Sequence, residues 1–220
     1  MAPERPVPTI RLLAPLVAIT MLGFHKYVAR YDLNATATLD PGEPPSQSAC
    51  STETRKAPRG RGRVRVVTCS VPGATIDWII SDYEIDMELH DLGVSPISLD
   101  GNAFTFTDPD GVSQPMMATT DWPRLAPPGA VAPGLSVNVD LFPKGYVRVQ
   151  GDHLSRIRTL FDPPGFRVGK RPEEIVEAAR VNEGKTFKIA VSMGRPSEST
   201  TVTTTFRVAS VGARDFWNTF

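Results

Sequence analysis

The sequence has little that chemistry usually needs. Its three histidines, His25, His90 and His153, lie far apart along the chain. No HExxH, GxSxG or SxxK pattern occurs, so the hydrolase motifs that mark themselves by spacing are missing. There are only two cysteines, Cys50 and Cys69, with no CxxC pair, and a structural zinc site needs more ligands than that. The N-terminal apolar run, Leu12–Phe24, is 13 residues long. As a helix it would span ~20 Å, short of a ~30 Å hydrocarbon core. Net charge is zero, which argues against a dedicated nucleic-acid binder. The expectation is therefore a non-enzyme with no catalytic, cofactor-binding or metal-ligating set.

What is present is punctuation and alternation. The 21 prolines and 17 glycines are spread through all 220 residues, which suits short strands joined by turns. Tyr83, Ile85, Met87 and Leu89 alternate with Asp82, Glu84, Asp86, Glu88 and His90. That period of two predicts a strand with one buried face, with His90 on the exposed one. Ile97 and Leu99 alternate again, Phe104–Thr107 makes another strand, and Asp108-Pro-Asp-Gly111 closes it as a turn. Residues 74–80 predict a strand with Trp78 buried. Val137, Val139 and Leu141 predict a further strand ending at Pro143. Met116, Met117 and Trp122 fall in what reads as a long connection, Ser113–Pro133.

Pro172–Arg180 reads as the one clear helix, with proline and two glutamates in its first turn. Ala179-x4-Gly184-Lys185-Thr186 matches a relaxed phosphate-loop pattern. Its order is helix, loop, strand, the reverse of what a phosphate loop requires. Thr186–Met193 and Thr200–Val211 predict a hairpin, with Thr203 and Thr204 both open as the inward residue.

Two segments, residues 88–111 and 125–142, resemble the immunoglobulin-like β-sandwich modules of secreted and membrane-anchored bacterial proteins. The likeness rests on the "F-x-h-x-D-x-D-G" turn at Phe104–Gly111 and on Val131, Pro133, Gly134, Ser136, Val137, Val139 and Leu141. It implies a scaffold that binds or spaces other molecules.

The N-terminal region adds a compartment. Arg5 and Arg11 precede the apolar run Leu12–Phe24, as in a signal sequence that is either removed or kept as an anchor. Asp32–Gly62 is rich in Pro, Ser, Thr and Gly and reads as a flexible linker. Export would make Cys50–Cys69 a disulfide. Arg55, Lys56, Arg59, Arg61, Arg63 and Arg65 form a cluster with no acid inside it. It could contact phosphates of RNA or lipid, form a solvated face, which is the usual outcome, or stand beside the acidic face of Asp82, Glu84, Asp86 and Glu88, which is the expectation we favour. Carboxylates at i, i+2 and i+4 spread about 7 Å apart along one strand, which is poor geometry for one Ca²⁺ ion.

The fold class expected is all-β: an antiparallel immunoglobulin-like or jelly-roll β-sandwich with one short helix and an N-terminal apolar helix. The expected divisions are 1–31 as signal or anchor, 32–62 as linker and 63–220 as sandwich. The expected role is an exported, membrane-tethered module, held at the membrane by Leu12–Phe24 and acting through a protein partner or self-association. The alternative is a jelly-roll capsid protein of a virion, with a basic arm on RNA.

Overall fold

The computed structural model describes residues 27–40, 48–56, 63–80, 85–99, 102–157, 159–161, 171–196 and 198–215. Its strands are β1 (Tyr27–Asp40), β2 (Ser48–Ala49), β3 (Ser51–Lys56), β4 (Arg63–Val71), β5 (Ala74–Ile80), β6 (Ile85–Asp91), β7 (Ile97–Ser98) and β8 (Phe104–Thr107). They continue with β9 (Ser113–Thr119), β10 (Ala130–Val131), β11 (Ser136–Pro143), β12 (Val147–Gln150), β13 (His153–Arg156), β14 (Thr186–Arg195) and β15 (Glu198–Asp215). Helix α1 is Pro172–Ala179. Alternating apolar residues with frequent turns make antiparallel pairing the natural outcome, and every ladder is antiparallel.

The main strand order is β2-β1-β15-β14-β8-β9-β11-β6-β5-β4-β3. Two strands turn this row into two packed layers. β9 pairs with β8 through residues 113–115 and with β11 through residues 116–119. At the far edge, β2 pairs with β1 and β3 pairs with β4, with only Cys50 between them. The Cys50 N–H donates to Ala35 O at 3.2 Å. One strand thus touches both edges, and the sheet closes into a flattened barrel, or sandwich.

The interior follows the alternation. Ile85, Met87 and Leu89 on β6, Ile76 and Trp78 on β5, and Phe104 and Phe106 on β8 all point inward. A chain of rings crosses the core. Trp78 meets Phe206 edge-on at 5.8 Å, Phe206 stacks on Phe187 at 5.0 Å, and Phe161 lies 5.8 Å from Phe187. Such pairs add to area burial because ring edges and faces carry opposite partial charge. Val202, Thr204, Phe206 and Val208 are the inward residues of β15, so the threonine left open by the sequence is Thr204. A second small cluster, Phe142, Val147 and Leu154 with Met117 and Trp122, covers the outer side of β11.

Four expectations change. The segment Asp32–Gly62 is not a linker throughout: residues 32–40 complete β1 and residues 48–56 form β2 and β3. Tyr27–Tyr31, assigned to the signal or anchor, also belongs to β1. Backbone pairing with β15 overrides the Thr-containing composition of residues 32–40, because Leu33, Ala35 and Ala37 supply a buried apolar face. The long connection Ser113–Pro133 begins as strand β9, with Met116 buried in the main core. Finally, β4 is not beside β6, because β5 runs between them. The Arg63 and Arg65 strand therefore cannot ladder with Asp86 and Glu88. The apolar run Leu12–Phe24, Arg59, Arg61, Asp82 and Glu84 lie outside the described residues.

Candidate functional site

Two features of the sandwich go beyond what packing needs. The first is one tip, where the 72–73 turn, the 91–96 loop and the 132–135 turn meet. Asp91 ends β6 pointing inward and is fully buried. Arg195 arrives from the opposite layer at the end of β14 and donates to Asp91 Oδ1 and to Gly73 O, each at 2.9 Å. It also donates to Ser95 O. Asp91 Oδ1 accepts the Gly93 N–H at 2.9 Å as well. A Cβ at Gly93 would stand 2.6 Å from Arg195 Nη1, so a larger residue here would push the guanidinium aside. The Asp91 N–H donates to Leu135 O at 3.0 Å and the Gly134 N–H to Asp91 O at 2.8 Å, which ties the two loops together.

On this clamped base three apolar side chains project. Val94 is 100% exposed, Leu92 66% and Leu135 61%. No charged residue occurs in 92–99 or 125–139. Single exposed leucines are ordinary, but three on hydrogen-bonded loops form a patch of the kind found at contact sites.

The second feature lies on the outer face of the layer made by β11, β6, β5, β4 and β3. Register places Thr68 opposite Asp77, and Asp77 opposite Glu88. His90 and Glu88 share that face of β6, two residues apart. His90 Nε2 is 3.7 Å from Asp77 Oδ2 and 3.8 Å from Glu88 Oε1. Thr68 Oγ1 donates to Asp77 Oδ1 at 2.6 Å, and Arg55 donates to Asp77 Oδ2 and to Glu53. Hydrogen bonds to Asp77 and then Glu53 raise the Arg55 pKa further above its ordinary value, so it is a permanent cation. One donor atom from each of Asp77, Glu88 and His90 lies within 4.8 Å of the others.

The predicted residues distribute as follows. Cys50 and Cys69 form the disulfide, with Cα atoms 4.4 Å apart. A disulfide persists in an oxidising, extracytoplasmic setting. Of the basic cluster, Arg55 goes to Asp77 and Glu53, and Arg65 pairs with Asp32 on β1. Lys56 and Arg63 are exposed and opposite one another across β3 and β4. Among the described residues of the cluster, Arg55 and Arg65 go to carboxylates on different strands, while Lys56 and Arg63 face solvent. The Asp108 loop is a turn: Asp108 Oδ1 accepts the N–H groups of Asp110 and Val112 at 3.0 and 2.9 Å. Among the described residues, no helix is long and apolar enough to cross a membrane. Sequence reading missed Asp77, Arg195 and the tip. Their only sequence signals were a lone aspartate in an apolar strand and a stretch without charge.

Comparison with family models, with curated proteins and with solved structures returns no match for this chain.

Proposed function

We propose that the protein is a non-catalytic, exported β-sandwich that works by docking its apolar tip onto a partner protein. The observation that carries this reading is the tip itself: Leu92, Val94 and Leu135 exposed on loops clamped by Arg195 and Asp91. Loops already held by hydrogen bonds lose little conformational freedom on binding, so their apolar area converts to affinity more fully. With no charge in 92–99 and 125–139 and Arg195 already paired with Asp91, the tip favours an apolar protein partner over an anionic lipid surface, since headgroup attraction needs free lysine or arginine nearby. The Cys50–Cys69 disulfide fits export. Tethering through Leu12–Phe24 and an immunoglobulin-like relationship belong to the same reading, the latter supported by the two-layer antiparallel architecture.

The test is a photo-crosslinking residue in place of Val94, in the full chain expressed in its native host. The expected result is one discrete protein adduct that disappears when Leu92→Ser and Leu135→Ser are added. These exposed substitutions should leave folding within about 0.5 kcal/mol of the parent. A lipid adduct, or none at all, would overturn protein docking. Elution as a very large regular particle would replace it with a capsid shell.

A further inference from the structure

We infer that Asp77, Glu88 and His90 form a binding site for a divalent transition-metal ion of the Zn²⁺ class, entered by exchange with the Arg55 guanidinium. The tip contact uses none of these residues, so the two readings stand or fall separately.

The argument starts from an oddity of burial. Asp77 occupies an outward position on β5, between the inward Ile76 and Trp78, yet is only 4% exposed. A carboxylate shielded from water needs a cation or strong donors. It has Thr68 Oγ1 at 2.6 Å on one oxygen and Arg55 on the other. Arg55 is shared, because its Nε is bound to Glu53. Glu88, opposite Asp77, meets Ser136 Oγ at 3.3 Å and His90 Nε2 at 3.8 Å, neither a permanent cation. Among the described residues, Arg55 is the one permanent cation paired with any of Glu53, Asp77 and Glu88, which leaves two negative charges for a divalent ion to balance.

The donor set selects the ion. One imidazole nitrogen with two carboxylate oxygens suits Zn²⁺ and its first-row neighbours. Ca²⁺ would want six to eight oxygens. The present separations of 3.7 and 3.8 Å from His90 exceed the roughly 3.0–3.4 Å between neighbouring ligands on an ion with ~2.1 Å bonds. Small side-chain rotations of Glu88 and His90, each about one-third exposed, close that gap. Arg55 can leave. Its side chain is 43% exposed, lies on the corner strand β3, and keeps Glu53 as a partner when it swings away. Asp77 Oδ2 is then free to ligate the ion, with solvent completing the shell.

The test is calorimetric titration of the metal-stripped full chain with Zn²⁺. One saturable site is expected. His90→Ala and Glu88→Gln should each weaken it roughly tenfold or more, since each removes one of three protein ligands. His153→Ala, far from the cluster, should leave it unchanged. Arg55→Met should tighten it several-fold by removing the competing cation. Circular dichroism of each variant establishes that it is folded. The absence of saturable binding, or binding that survives His90→Ala, would overturn the site. Arg55→Met binding no tighter than the parent would overturn the exchange.

Discussion

Asp32 shows how a single residue turns environment into pH dependence. Partial burial raises its pKa, but hydrogen bonds from Arg65 and Ser210 and the charges of Arg30 and Arg65 outweigh that and hold it below the ordinary value. A carboxyl with a lowered folded pKa stabilises the fold above its unfolded value of about 3.9. That contribution fades as pH falls through the folded value. Asp32→Asn should therefore be about 1 kcal/mol less stable than the parent at pH 7. The two should converge only once pH falls below that lowered folded value, as read by urea unfolding across pH. A difference that persists undiminished at low pH would mean that the charge is irrelevant. Residue identity alone reveals none of this. Arg65 was visible as part of a basic cluster, but its partner is 33 positions away in sequence and belongs to β1. Trp78, by contrast, was legible as a core residue, because it is the one large ring in an apolar strand.

Strands were legible where alternation is strict. β6 was read from Ile85, Met87 and Leu89, and α1 from its proline and paired glutamates, because both signals are local. β1 was not, although Leu33, Ala35 and Ala37 alternate within it. Small alanines carry little hydrophobic signal, and the strand exists because β15 is there to pair with it over 14 residues. The loops have the same character. The 91–96 segment looked like an ordinary turn until Arg195, a hundred residues later, supplied its partner. Arg195→Met should leave Asp91 buried without its cation and cost about 3–5 kcal/mol. For a chain of this size that is roughly 6–20 °C in melting temperature. Adding Asp91→Leu should recover most of the loss, since a buried pair replaced by apolar groups is nearly neutral. A single-variant loss below about 1 kcal/mol would show that the clamp is dispensable.

At the scale of the whole molecule, closure depends on the strand that passes from β2 to β3. Cys50 sits at that passage and is bonded to Cys69 on the neighbouring β4. The 19-residue separation predicts ~3 kcal/mol of stabilisation through the unfolded chain. Replacing both cysteines by serine should lower the melting temperature by roughly 6–12 °C, and a reductant should do the same to the parent. No change would mean that backbone pairing of β2 and β3 closes the barrel unaided.

Alternation, turn residues and a proline-led helix by themselves determined that the described residues are antiparallel β with one short helix, because those signals act over a few residues. The cysteine pair determined what an oxidising compartment would join. Only the tertiary structure decided which strands distant in sequence are neighbours, and with them the charged contacts between those strands. Asp77 faces Glu88 and His90 because β5 lies between β4 and β6, and Leu92, Val94 and Leu135 share one tip because Asp91 bonds to both their loops. Such contacts follow from register and closure, which a chain read in order does not contain.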